Sequence, residues 1–159
     1  MPVTGADGRR LIARLVARCS AASLGARFFL PEAQVAGRDL VSLLVGPADG
    51  WAYLALDYGR PVGLLNLVRS GSGEVEAGVL VADRWQRRGV GRALVRHAVL
   101  HGPWPGAPVR VAVQSDNAAA LGMLRSLGLP RRLVAMAPGE YHFELRPAVS
   151  AHVRSTVAG

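Results

Sequence analysis

Between Val79 and Leu94 an apolar stretch gives way to the polar turn Ala82-Asp83-Arg84-Trp85-Gln86-Arg87-Arg88. Gly89-Val90-Gly91-Arg92-Ala93-Leu94 follows, two glycines opening an amphipathic helical pattern. Glycine has no Cβ, so backbone N–H groups there can come close to a ligand. The unpaired N–H groups of a first helical turn, with the helix dipole, suit a diphosphate. Arg87, Arg88 and Arg92 add positive charge beside that turn. Two glycines alone say little, since an ordinary Gly-rich helix start has the same spacing. A dinucleotide-binding turn needs a third glycine where Leu94 stands, so a Rossmann arrangement is excluded.

The flanking segments read as one α/β chain. Leu11, Ile12, Leu15, Val16 and Cys19 recur at helical spacing, predicting a helix over 8–19 with Asp7 as its N-cap. Ser20 caps a second helix through Phe28-Phe29, and Pro31 opens a third that runs to Gly46. Residues 51–58 and 62–69 are β-rich and flank Gly59-Arg60-Pro61, predicting a hairpin. A turn at 70–73 leads to a strand over 74–81. The helix over 90–100 ends at His101-Gly102-Pro103, and 109–113 is a short apolar strand. Ser115-Asp116-Asn117 caps a helix over 118–127, and strands 131–137 and 140–146 close as a hairpin. The expected organisation is one domain over 1–146 followed by a tail, 147–159.

Composition narrows the function classes. Of 159 residues, 19 are basic, and all are arginine. Without lysine, neither a Walker A phosphate loop nor a pyridoxal Schiff base can be built. The arginines are scattered and carry no zinc-finger or RNP-like pattern, which argues against nucleic acid as partner. No apolar run reaches the roughly 18–20 residues that span a bilayer. The N-terminus shows no secretory leader pattern, and the single Cys19 fits a reducing cytoplasm.

Gln86-Arg87-Arg88-Gly89-Val90-Gly91 matches the Gln/Arg-x-x-Gly-x-Gly/Ala signature of the Gcn5-related acetyltransferases, after a strand and before a helix. Downstream, a strand at 109–113, Asn117 near a helix start, and Leu127-Gly128-Leu129 continue that family's order. The chain thus resembles this family over most of 7–146. The resemblance implies a mixed, mostly antiparallel sheet flanked by helices and splayed at an acyl-CoA site. It implies that Val79, Leu80 and Val81 pair with the pantetheine amides of acetyl-CoA. The same resemblance gives the diphosphate to the loop Gln86, Arg87, Arg88, Gly89, Val90 and Gly91, where Arg92 adds its charge, and a pantetheine contact to Asn117. The family's usual first strand has only residues 1–6 available.

Attack of an amine on a thioester needs a neutral amine, hence a base acting directly or through water. Glu74 and Glu76 share a strand face with Gly78 and Leu80 by alternation. The stretch 75–86 and the segment Ser20–Phe29 resemble bacterial protein-lysine acetyltransferases, and this implies Glu76 as general base. A tyrosine acid, frequent seven residues after the asparagine, is replaced by Leu124. Tyr141, in the closing hairpin, reads as an ordinary strand aromatic, Cys19 as core, and Phe28-Phe29 as a helix-end core pair in preference to the lining of an acceptor groove. His97 and His101, four apart on a helix, lack a third ligand, so no metal is expected. The resulting expectation is an N-acetyltransferase, cytoplasmic, monomer or homodimer, acting on a primary amine, with protein lysine preferred. A small-molecule amine such as an aminoglycoside or polyamine, and a non-catalytic acyl-CoA-sensing module, remain alternatives.

Overall fold

The computed structural model describes residues 5–45 and 50–147. Helices α1 (Gly5–Val16) and α2 (Ala21–Phe28), a 3-10 turn at Glu32–Gln34, and helix α3 (Leu40–Val45) come first. Strands β1 (Gly50–Asp57), β2 (Arg60–Arg69) and β3 (Val75–Val81) follow, then a 3-10 turn at Asp83–Trp85 and helix α4 (Val90–His101). The remainder is β4 (Val109–Gln114), α5 (Ala118–Ser126), β5 (Arg131–Ala137) and β6 (Glu140–Leu145). No helix among the described residues is long and apolar enough to cross a membrane.

The six strands form one sheet in the order β1-β2-β3-β4-β6-β5. β3 and β4 are its parallel pair, and the other neighbours are antiparallel. Apolar residues fill both faces. Ile12, Leu15, Leu24, Leu44, Leu64 and Leu80 gather under α1–α3 on one side. Leu65, Leu67, Val75, Leu94, Val95, Leu124 and Leu127 gather under α4 and α5 on the other. Alternation along β2 sends Leu64 to the first cluster and Leu65 to the second, so this strand is apolar without a polar face. Each such buried Leu or Val is worth about 1.5–3 kcal/mol, which makes the sheet a middle layer with two cores.

Local chemistry explains where the elements depart from expectation. Asp7 lies inside the first turn of α1, which already starts by Gly5, so it complements the helix dipole and is not the cap. The helix expected from Pro31 to Gly46 is broken at Gly37, which has φ +79°. Asp39 then takes the Ser42 N–H at 3.1 Å, as an N-cap does, and starts α3 afresh. Gly46 itself lies outside the described residues. The first hairpin turns at Tyr58-Gly59, φ +43° and +76°, a tight two-residue turn that puts Arg60 and Pro61 inside β2. Pro61 is tolerated there because the β1–β2 register shifts at Ala55/Leu56, just opposite it. No strand precedes α1 among the described residues. Positions 1–4, and the tail from 148 onward, lie outside them.

Candidate functional site

β3 and β4 pair at two positions, Val75↔Val109 and Glu76↔Arg110, and then part. Beyond them β3 continues to Val81 and β4 to Gln114, unpaired with each other. A cavity of about 530 Å³ opens in this gap, lined by Arg27, Phe28, Phe29, Glu76, Val79 and Asn117 among others. Glu76 is exposed and stands at the last paired position, at the point where the sheet opens. Glu74 is differently placed: its carboxylate is held by Arg110 at 2.6 Å.

Of the expected cofactor residues, Val79 and Asn117 line the cavity, and the others lie at the end of β3 and the start of α4 or in the turn between them. Val79 lines the cavity, and Val81 is half-buried beside it. Leu80 turns into the core under α1–α3, so only its backbone faces the gap's edge. Gly91 sits against the same strand end, since a Cβ there would meet Val81 at 3.6 Å and Val79 at 3.8 Å. Gly89 is the N-cap of α4 with φ +84°, and no side chain caps the helix. Its Cβ position is open space, and Val90, Gly91 and Arg92 form the first turn, whose N–H groups have no intrahelical partner. Arg87 is held at φ +59°, while Arg88 lies over the Trp85 ring at 5.2 Å. Arg87, Arg88 and Arg92 are all exposed. A cradle open to solvent, free of side-chain caps and flanked by three arginines suits a diphosphate.

Two expected contacts use different atoms than the sequence suggests. The Gln86 amide group donates to Ser23 Oγ at 2.8 Å and to the Val81 carbonyl at 3.1 Å, so its side chain is engaged within the protein. Asp83 accepts from Ser23 Oγ at 2.7 Å and from the Ser20 N–H at 3.0 Å. Ser20 meanwhile caps α2 through the Ser23 N–H. The Ser-x-x-Ser and Asp-x-Trp-Gln patterns are therefore two halves of one latch joining α2 to the cradle. Asn117 Oδ1 likewise caps α5 through the Ala120 N–H at 3.0 Å, which leaves its Nδ2 for the cavity.

Phe28-Phe29 is more than a core pair. Phe28 packs against the α1–α3 core, but both rings line the cavity, and Phe29 is 38% exposed. Leu124 is buried and also reaches the cavity wall, whereas Tyr141 pairs in the ladder opposite Val113 and does not line it. Burial, with the Asp83 charge second, pushes the Cys19 thiol up to about 12, so it stays protonated at neutral pH. His97 stacks edge-on against Tyr53 at 5.0 Å and near His101 at 5.3 Å. Sequence reasoning missed Arg27, Arg110 and His142 as cavity residues. Arg27 stood within the quoted Ser20–Phe29 segment, but nothing in its spacing distinguishes a cavity arginine from a surface one.

Residues 28–129 match the model of the acetyltransferase (GNAT) family. The chain belongs to that family. A mycothiol acetyltransferase from Clavibacter michiganensis subsp. michiganensis is 37% identical over 91 residues, 56% of this chain. That stretch spans 29% of the relative's length. Among solved structures, the GNAT domain of S. lividans PAT is similar with TM-score 0.75 at 22% identity, covering 91% of this chain and 87% of that one. The Campylobacter jejuni N-acetyltransferase PseH, solved with acetyl coenzyme A, is similar with TM-score 0.53 at 14% identity. It covers 67% of this chain and 74% of its own. These likenesses give this GNAT chain its fold, with the sheet opened between its parallel strands.

Proposed function

We propose that the protein transfers an acetyl group from acetyl-CoA to a primary amine by direct attack in a ternary complex, with Glu76 as general base. The observation that carries this reading is the place of Glu76, an exposed carboxylate at the point where β3 and β4 part. Acetyl-CoA, when bound, supplies an activated thioester. The backbone of Val79, Leu80 and Val81 would hold its pantetheine arm, joined by Asn117. The loop from Gln86 through Gly91, with Arg92, would hold its diphosphate. Glu76 takes the amine proton directly or through one water. A thiol with a pKa near 8.5 leaves without strong acid help, so Leu124 in place of a tyrosine is no obstacle. The six-stranded sheet and its helices act as one catalytic domain, and the lone thiol fits a cytoplasmic location.

A protein lysine is the acceptor this reading favours. Phe28 and Phe29 flank the cavity on the Glu76 side of the sheet, where a lysine's methylene arm could lie while its amine reaches the carboxylate. The identity with a mycothiol acetyltransferase favours a second reading, a small-molecule amine. Thiol release from acetyl-CoA, measured with lysine peptides in parallel with polyamines and aminoglycosides, separates the two. Turnover confined to small amines removes the lysine reading, and no turnover on any amine removes the enzyme reading.

A further inference from the structure

Arg27 carries a part-buried charge that no carboxylate answers. Its guanidinium lies against β3: a Cβ built on Gly78 would overlap Arg27 Cζ, Nη1 and Nη2. Nη2 donates to Asn66 Oδ1 at 3.3 Å, and the amide group of that asparagine is already given to the Leu44 carbonyl. Nε is buried without a partner, and the Phe28 ring lies 5.1 Å from Cζ. Among the described residues no carboxylate stands within ion-pairing distance of Arg27. Burial pushes its pKa down, yet a guanidinium keeps its proton in proteins.

Gly78, on which Arg27 rests, is two residues from Glu76 on the same strand face, roughly 7 Å along the strand. Arg27 and Glu76 line one cavity. Also facing it are the Arg110 guanidinium on β4, tied to Glu74 at 2.6 Å, and the His142 imidazole on β6, bonded to Glu140 at 3.1 Å. A base of opposite charge creates a difficulty for amine transfer: its carboxylate attracts the ammonium form and holds the proton on nitrogen. A fixed cation nearby opposes that form, as neighbouring cations lower the pKa of catalytic lysines.

We infer that Arg27 is a positioning residue that sets the protonation state of the acceptor, weakening the ammonium–Glu76 ion pair so that the amine gives up its proton. The inference rests on the reading of Glu76 as base toward an amine. It also explains why β3 carries glycine at 78, since any larger residue would displace the guanidinium.

The test compares Arg27→Gln, Arg27→Lys and Gly78→Ala. In the last, the atoms displaced are the flexible end of Arg27, so the fold survives while the charge moves. Turnover of a lysine peptide, or of spermidine should peptides not react, is followed across pH at saturating acetyl-CoA. Calorimetry in buffers of different ionisation enthalpy reports the protons released when the same amine binds the CoA-loaded protein. Arg27→Gln and Gly78→Ala should move the acidic limb of kcat up by about one pH unit, lower KM near neutrality, and release fewer protons on binding. Arg27→Lys, keeping the charge, should hold the limb at the parent's pH. A loss of kcat equal at every pH, with proton release unchanged, overturns the proposal and leaves Arg27 a structural part. A rise in KM confined to amines that bear a carboxylate overturns it in favour of anion binding. A parent that turns over no amine fails the base assignment itself, and this proposal falls with it.

Discussion

Glu76 and Glu74 lie two residues apart on one strand, yet their surroundings give them different work. Glu74 is neutralised by Arg110, whereas Glu76 has no ion-pair partner among the described residues and faces the cavity. Glu76→Gln should lower turnover by roughly 10²–10⁴-fold, the usual worth of a positioned base, and leave acetyl-CoA affinity unchanged. Raising the pH should recover part of the loss. Steady-state kinetics across pH, beside calorimetry of acetyl-CoA binding, checks both. Near-normal turnover would remove the assignment. Glu74→Gln is an imperfect control, because it frees Arg110; it should nonetheless keep most of the activity. Glu144 on β6 makes a prediction about stability. The Arg146 hydrogen bond holds its carboxyl below the usual range, with the Arg146, Arg132 and Arg110 charges adding to the effect. A depressed folded pKa stabilises above the unfolded value, near 4.3, and that stability is lost as pH falls through the folded pKa. Glu144→Gln should therefore destabilise at pH 7, and the difference from the parent should narrow in urea titrations as the pH falls below the unfolded value and through the folded one.

At the scale of elements, the uncapped start of α4 and the latch from α2 are parts of one device. Gly91 has an ordinary φ and room for a side chain against Val79 and Val81, whereas Gly89 is left-handed. Gly91→Asp should thus fold normally and abolish acetyl-CoA binding, by placing a negative charge where a diphosphate would sit. Gly89→Asp should do the same with an added backbone cost of about 1–2 kcal/mol. Calorimetry on folded protein decides this, and undiminished affinity for Gly91→Asp would remove the cradle. Asp83 holds the Ser20 N–H, Ser23 and Gln86 together. Asp83→Ala should cost about 1–2 kcal/mol in urea unfolding and weaken acetyl-CoA binding too, since Gln86 begins the cradle. A variant that loses stability but binds acetyl-CoA as tightly as the parent would show that the latch serves α2 alone.

At the scale of the whole molecule, the chain carries a formal net charge of +8, the sign that attracts a polyanion. Long-range attraction should speed capture of acetyl-CoA and fade with salt, the Debye length falling from about 10 Å at 0.1 M to about 3 Å at 1 M. The association rate should fall several-fold over that range in stopped-flow binding, while kcat at saturation changes little. An association rate indifferent to salt would assign the charge to composition alone. The absence of lysine has a further consequence. The chain offers no side-chain amine of its own, so prolonged incubation with acetyl-CoA should leave the mass of its internal peptides unchanged in mass spectrometry.

The strand–turn–helix proposed as the cradle was legible in the residues because its pattern is local: strand, polar turn, two glycines and a helix follow one another within sixteen positions from Val79 to Leu94. The same holds for the caps at Ser20 and Asn117, whose partners lie three residues away. What the sequence could not determine depends on distance in space. The cavity exists because β3 and β4, joined through α4, stop pairing after Glu76 and Arg110. The link between Ser23 and Gln86 crosses 63 positions, and Arg27 reaches Asn66 across 39. Propensity and periodicity report which face a residue presents, but not which remote groups meet it there. Only the packed sheet decides that an arginine of the second helix rests on Gly78 near Glu76, where its charge can act on the acceptor.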